Sequence, residues 1–395
     1  MGRSAHTVKR SNRPTTTTLH ASPRPRSIAR PKARTRDSRV HNRSLVLSVL
    51  YHEGAKSRAD LARSTGLTAP TISALVADLE ADGLVADTGP APDTGRRGKP
   101  STLVEIQDDG AHLLILDLSR AGHFYGALTN LRGEVVTRAR VPLDGALGTA
   151  AQDLVLQLTG ELLRQAERRV LGIGVASPGI IDDRGVIRLA SHLRWNDWAL
   201  ADLLTERFGI AAHVGNDVKL AALAVLHFGK TEARNLMVVT TEHGVGAGLI
   251  VGGRLVEGDQ FAAGEIGHIT VDEDGEPCVC GRRGCLDRFL DAGHLRRRLD
   301  RSPAERRDAL LAEAGRALGI VVAPIVSALN LNEVVLTGPA ELLDGPLITT
   351  ALETARARTL PPIGASLSIR HLVGDAELNT LGAACLVLAA ELGVF

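Results

Sequence analysis

The sequence predicts an α/β protein: a small helical head with a basic hairpin, followed by a larger body of two lobes in which strands and helices alternate. Three observations carry this. Helical periodicity falls in three short segments between residues 42 and 82 and gives way after Gly83 to strand-like runs. From Ala111 onward strand and helix patterns alternate in two successive series. The chain has 395 residues, too many for one ordinary core, so two or three domains are expected. Composition agrees: 44% hydrophobic and 23% charged residues are globular values, and 41 glycines with 3% aromatics suit tight turns around an aliphatic interior.

Boundaries follow from these shifts. Residues 1–37, rich in Arg, Thr, Ser and Pro with one acidic residue, Asp37, bury almost nothing and read as a disordered basic arm. Such an arm either brushes DNA phosphates or is a solvated tail without a role. Residues 38–106 form the head and 107–395 the body.

The formal net charge of +1 conceals an asymmetry. Residues 1–104 hold 18 Lys and Arg against 8 Asp and Glu, and the remainder 28 against 37. A basic front on an acidic body reads as a polyanion-binding head on a separate sensing or catalytic module. Of four cysteines, three crowd into Cys278, Cys280 and Cys285, too tight for a dispersed disulfide framework, so a reducing cytoplasmic setting is expected. No apolar run of signal-peptide length precedes Leu45, and no run of about 18 apolar residues occurs, so neither secretion nor a membrane partner is expected.

Within the head, helices are predicted over 44–52, 57–64 and 69–81. Ser57 and Thr68 are the N-cap residues of the second and third, Pro70 fits the first turn of the third, and Gly66 ends the second. After Gly83, a strand from Leu84, the basic loop Gly95-Arg96-Arg97-Gly98-Lys99-Pro100 and a strand over 101–106 make a hairpin wing. This is the winged helix-turn-helix order, which sets the third helix in the major groove of duplex DNA. Thr68, Thr71 and Ser73 can then donate to phosphates or base edges, and Arg96, Arg97 and Lys99 can reach backbone or minor groove. The other reading of these residues is a three-helix dimerisation module with a soluble hairpin.

The body shows strands near 113–118, 124–130 and 134–141, a helix over 148–169 and a strand at 171–176. The later series has strands near 236–240 and 247–251, a long helix near 305–329, and a strand at 333–337. Two such halves imply two lobes with a cleft between them. In the second half, Gly264-Glu265-Ile266-Gly267-His268 is followed by Cys278-Val279-Cys280-Gly281-Arg282-Arg283-Gly284-Cys285. His268, Cys278, Cys280 and Cys285 supply the four ligands of a closed, structural tetrahedral Zn²⁺ site, with Gly281 and Gly284 allowing the tight fold. Ordinary buried thiols are the alternative.

Those two motifs, with Gly215-Asn216-Asp217 and Leu171-Gly172-Ile173-Gly174-Val175-Ala176-Ser177-Pro178-Gly179, resemble the ROK family (repressor, open reading frame, kinase) through about residues 111–392. Joined to the winged head, they resemble its repressor branch. The resemblance implies a two-lobed, actin-like (ribonuclease H-like) sugar-kinase fold. It also implies zinc on the His/Cys set and a sugar facing Asn216, Asp217, Glu265 and His268. Carboxylates and amides suit that task, since they bridge vicinal hydroxyls. Asp217 stands where the kinases keep their general base, and it could also cap the helix that follows. The family has Glu two residues after the last cysteine; here Asp287 is one methylene shorter, so either the sugar sits differently or the contact is lost or water-mediated.

Phosphoryl transfer needs donors around the β- and γ-phosphates, and the family's kinases supply them from Asp-x-Gly-Gly-Thr and Gly-Thr-Gly loops. Here the first reads Asp117-Leu118-Ser119-Arg120-Ala121, the second Thr241-Glu242-His243-Gly244-Val245-Gly246, and Thr337-Gly338-Pro339 replaces a later Gly-Gly pair. Lost glycines block close approach of the backbone, Glu242 repels phosphate, and Pro339 removes a donor. The expectation is a non-enzymatic regulator with no catalytic residue, Asp217 being a vestigial base. It would act in carbohydrate metabolism as a homodimer or dimer of dimers on double-stranded operator DNA, released by a sugar or sugar derivative. An ATP-dependent sugar kinase with a fused head, and a constitutive DNA binder whose sensor binds nothing, are the alternatives.

Overall fold

The head begins with α1 (Thr35–Glu53), so the last three residues of the expected arm are helical. The computed structural model describes residues 35–90, 102–229, 231–242, 244–372 and 377–395; the rest of the arm lies outside them. A short β1 (Lys56–Ser57) leads into α2 (Arg58–Thr65), where the Ser57 hydroxyl accepts the Asp60 N–H at 3.1 Å. Gly66, at φ 71°, ends α2 in the left-handed region that a side chain disfavours. Thr68 caps α3 (Ala69–Ala81) through the Thr71 N–H. The wing is β2 (Val85–Pro90) and β3 (Thr102–Ile106), which joins β1 in a sheet of order β1-β3-β2. Its tip, with Arg96, Arg97 and Lys99, falls outside the described residues.

The first lobe runs β4 (His112–Asp117), β5 (His123–Thr129), β6 (Val135–Pro142), α4 (Gly148–Gln165) and β7 (Val170–Ser177). A small sheet of β8 (Ile180–Ile181), β9 (Ile187–Ala190) and β10 (Trp195–Trp198) follows, then α5 (Leu200–Phe208), β11 (Ala212–Asn216) and α6 (Asp217–Phe228). The main sheet has order β11-β7-β4-β5-β6, antiparallel through β4, β5 and β6 and parallel through β4, β7 and β11.

The second lobe repeats that plan. Its strands are β12 (Leu236–Thr240), β13 (Gly246–Val251) and β14 (Arg254–Leu255), with β15 and β16 parallel to β12's direction further on. The helices α7 (Asp287–Leu290), α8 (Ala292–Asp300) and α9 (Arg307–Leu329) precede β15 (Glu333–Thr337). Then come α10 (Ala340–Leu343), α11 (Pro346–Ala357), α12 (Pro361–Ser366) and β16 (Ser368–His371), after which α13 (Leu378–Val387) returns to pack on β4, β7 and β11 of the first lobe. The order β14-β13-β12-β15-β16 matches the first lobe strand for strand. The carboxyl ends of β4 and β12 are therefore equivalent, and open α/β sheets bind ligands beyond such ends. Asp117 closes the one and Thr241 follows the other.

Among the described residues one helical stretch, Ala304–Leu329, is long and apolar enough to cross a membrane, although no unbroken apolar run was expected. Leu310, Leu311, Leu318, Val322 and Val326 from it are buried in the interior of the second lobe, where burial of apolar area accounts for its composition.

The head does not keep a core of its own. Leu47, Leu50, Leu61, Ile72, Val76 and Leu79 share one apolar cluster with Leu113 and Ile115 of β4 and with Ala383, Val387, Leu388 and Leu392 at the end of α13. Polar contacts close the joint. The Tyr51 hydroxyl donates to Leu131 O at 3.0 Å, Arg132 donates to Tyr51 O at 2.8 Å, and His52 Nε2 lies 2.6 Å from Val394 O. The head and the first lobe share this interior.

Candidate functional site

Strand β11 ends at Asn216, which lines a cavity, and Asp217 opens α6 directly after it. The capping falls on Asn216, not Asp217: its Oδ1 accepts the Lys219 N–H at 3.0 Å. Its amide N–H groups go to Gly179 O at 2.9 Å and Asp217 Oδ1 at 3.1 Å, which leaves one carbonyl lone pair for a ligand. Asn216 thus orients Asp217 as much as it faces the cleft. Burial, with the Asp117 and Glu265 carboxylates nearby, pushes Asp217 up to about 7. Glu265 is exposed, and its charge is the smallest of the influences on Asp217.

A raised carboxyl pKa has a defined consequence for stability. The folded state holds the proton more tightly than the unfolded one, so the stability it contributes is present at low pH and is lost as pH rises through about 7. Asp217→Asn is therefore expected to be more resistant to denaturant than the parent at pH 8, with the gap narrowing toward pH 5. Denaturant melts at the two pH values read this directly; a gap that is constant or widens at pH 5 contradicts it.

The metal-ligand set forms beside this pair. His268 Nδ1 lies 3.6 Å from Cys278 Sγ, Cys280 Sγ lies 3.6 Å from Cys285 Sγ, and all four ligand atoms are within 4.8 Å of one another. Tetrahedral zinc with bonds of about 2.0–2.3 Å has ligand–ligand edges near 3.5–3.8 Å, so the set fits a metal. Gly284 is required here: at φ 55°, a Cβ would stand 1.6 Å from Asp272 O. The Arg282 N–H pulls Cys280 down to about 6, while burial pushes Cys285 up to about 12. A buried thiol of that kind becomes a thiolate when a cation compensates it.

Both carboxylate oxygens of Asp287 have protein partners. Its Oδ1 accepts the Val245 N–H at 3.1 Å and its Oδ2 accepts from Arg288 at 2.7 Å, in a position 7% exposed. Asp291 Oδ2 takes the Gly244 N–H at 3.0 Å. The two carboxylates occupy two backbone donors of the loop after β12, and Glu242 of that loop is exposed; His243 lies outside the described residues. The loop is also welded to the metal segment: a Cβ on Gly267 would meet Val245 O at 2.1 Å, and Ala247 N donates to Gly264 O at 2.8 Å. At the equivalent end of β4, Asp117 is 2% exposed and accepts from Ser119 Oγ at 2.6 Å and Arg120 Nε at 2.7 Å. Asn379 of α13 donates to Ser119 Oγ at 2.9 Å. Asp291 and Asn379 escaped the sequence reading because their partners are far away in sequence.

In the head, Ile72, Leu75, Val76 and Leu79 turn α3 inward and leave Thr68, Ala69, Pro70, Ser73, Ala74 and Ala77 exposed. The Thr68 and Thr71 hydroxyls lie 2.8 Å apart and bond each other, so Ser73 is the exposed hydroxyl without that tie. Alanines on this face were not singled out from sequence, yet small apolar side chains allow close approach and contact thymine methyl groups.

The ROK family model matches residues 121–389. The chain belongs to the ROK family. A MarR family model matches residues 41–97, so this ROK protein carries a MarR-type winged helix at its front. It is 26% identical over 371 residues to the DNA-binding transcriptional dual regulator NagC of Escherichia coli (strain K12), covering 84% of this chain and 90% of that one. It is 28% identical over 257 residues to the xylose repressor of Caldicellulosiruptor bescii, covering 63% of each. It is 30% identical over 306 residues to a glucokinase of Halalkalibacterium halodurans, covering 67% of this chain and 92% of that one. A solved ROK family transcriptional regulator, a homologue of the E. coli MLC protein, superposes with a TM-score of 0.79 over 90% of this chain and 98% of that one, at 22% identity. It shares the fold, head and body together.

Proposed function

We propose that this ROK protein is a sugar-responsive transcription repressor: its head holds operator DNA, and a sugar or sugar derivative in the cleft releases it. The observation that carries the reading is the single apolar core running from α1 to the end of α13, which gives a ligand in the cleft a physical route to the head. The repressor and regulator names of its relatives support it. Asp217, Glu265 and the remaining lone pair of Asn216 grip vicinal hydroxyls, and His268 offers Nε2 while Nδ1 faces the metal set. Asp287 serves as an anchor for the Val245 loop rather than as a sugar ligand. His268, Cys278, Cys280 and Cys285 hold a structural zinc; four protein ligands fill its coordination, so its work is to fix the segment that presents Glu265.

No phosphoryl transfer is assigned. Two backbone donors of the loop after β12, Gly244 and Val245 N–H, are held by Asp291 and Asp287, and Arg120 pairs with Asp117, which disfavours phosphate there. The protein works as a cytoplasmic homodimer that sets two α3 helices in successive major grooves. Sugar favours the released arrangement only by binding it more tightly, so operator must weaken sugar affinity by the same factor.

Selection of bound genomic fragments, followed by release with D-glucose, D-xylose, N-acetyl-D-glucosamine and their phosphates, tests the reading. Ser73→Glu is expected to weaken operator binding at least about 100-fold through repulsion from DNA phosphates while leaving sugar binding intact. No preference for any promoter fragment over random duplex at physiological salt would sink it. The retained Asp217 and the glucokinase relative favour a second reading, an active kinase with a fused head. Sustained sugar-dependent ADP release from ATP and magnesium, abolished in Asp217→Ala, would establish that instead.

A further inference from the structure

Lys219 lies in the first turn of α6 and is 5% exposed. A lysine ammonium taken out of water needs acceptors in water's place. It donates to Glu257 Oε2 at 2.7 Å, Phe261 O at 2.9 Å and Glu257 O at 3.5 Å. All of these belong to the stretch after β14, which has no helix or strand and runs directly into Gly264 and Glu265. Phe261 holds φ 56°, a conformation that a non-glycine residue keeps only when its surroundings impose it. The Lys219 bond to its carbonyl is part of that imposition. The backbone N–H of Lys219 donates to Asn216 Oδ1, the cap of α6. A cavity of about 180 Å³ lies between, its wall including Asp182, Asn216, Lys219, Glu257 and Phe261.

We propose that Lys219 is a positioning residue that sets the span across which the sugar is gripped. Through its backbone it is tied to Asn216 and thereby to Asp217; through its side chain it is tied to the segment that delivers Glu265. Without the tie, that segment has no regular secondary structure to hold it, and the ligand must order it on binding, which lowers affinity. The proposal rests on the sugar-binding reading above.

Full-length Lys219→Met keeps the length of the side chain and the backbone cap but removes the donors. Three measurements decide. Hydrogen exchange without sugar is expected to quicken over 257–265 and nowhere else. The dissociation constant for the tightest binder among D-glucose, D-xylose, N-acetyl-D-glucosamine and their phosphates is expected to rise at least about tenfold, the value of a lost charged hydrogen bond. Operator affinity without sugar is expected to stay within about twofold of the parent. Glu257→Gln, at a half-exposed acceptor, carries the same measurements with a smaller rise of about threefold, and it serves should Lys219→Met fail to fold. Unchanged exchange over 257–265, or quicker exchange with unchanged sugar affinity, overturns the proposal alone. If the unaltered protein binds none of the three sugars and none of their phosphates, the sugar reading has failed and the proposal falls with it.

Discussion

Cys285→Ser is expected to abolish stoichiometric zinc binding, lower the thermal midpoint by roughly 5–10 °C, and leave the operator complex insensitive to sugar. Cys285 is fully buried, and its sulfur lies 3.6 Å from that of Cys280. Removing one ligand of a four-ligand site leaves two thiols and a histidine converging on nothing that compensates them. The segment is short of other support: it is knitted by the isolated bridges Thr270 to Cys285 and Pro277 to Arg283 rather than by a full sheet. Because Gly264 and Gly267 pack against Ala247 and Val245, loosening it also frees the start of β13. A loss of about 2.5 kcal/mol, within the range for a substitution that removes a metal, at roughly 2–4 °C per kcal/mol gives the midpoint shift quoted. Elemental analysis of protein purified without chelator, with melts of parent and variant, checks it. Less than half an equivalent of zinc in the parent, or identical melts, would remove the metal from the account.

Leu50→Ala in the head is expected to cost about 2–5 kcal/mol and, more tellingly, to shift the unfolding of the first lobe. Leu50 is fully buried in the cluster that also holds Leu113, Ile115 and Leu388. The chain has two tryptophans, Trp195 and Trp198, and both pack in the first lobe, away from the head. Their fluorescence therefore reports the lobe when the mutation is in the head. If head and lobe are one cooperative unit, the tryptophan transition moves to lower denaturant with Leu50→Ala, in step with the loss of helix by circular dichroism. A tryptophan transition that stays in place would show the head to be an independent module and would break the route from cleft to DNA.

Much of the site was legible because its determinants are local. Ser57, Thr68 and Gly66 declare their caps within three or four residues, and the structure puts each where the spacing implied. The His268 to Cys285 ligands lie within eighteen residues, close enough that a tight loop with two glycines must bring them together. Asp287 is the opposite case. Its carboxylate accepts from Arg288 beside it and also from Val245, 42 residues back, and nothing in its neighbourhood announces the distant partner.

By itself, then, the amino-acid order determined the elements, the winged head, the paired α/β lobes and the metal-ligand spacing, since caps, turns and periodicity act over a few residues. Tertiary structure alone decided three things: that the head shares its interior with the first lobe, that Asp287 and Asp291 hold the loop after β12, and that Lys219 ties two walls of the cleft. His52 and Val394 are 342 positions apart and Lys219 and Glu257 38 apart, so such partners become neighbours only when the strand order places them there. A buried donor or acceptor must be paired, but sequence says only that it needs a partner, and packing chooses which.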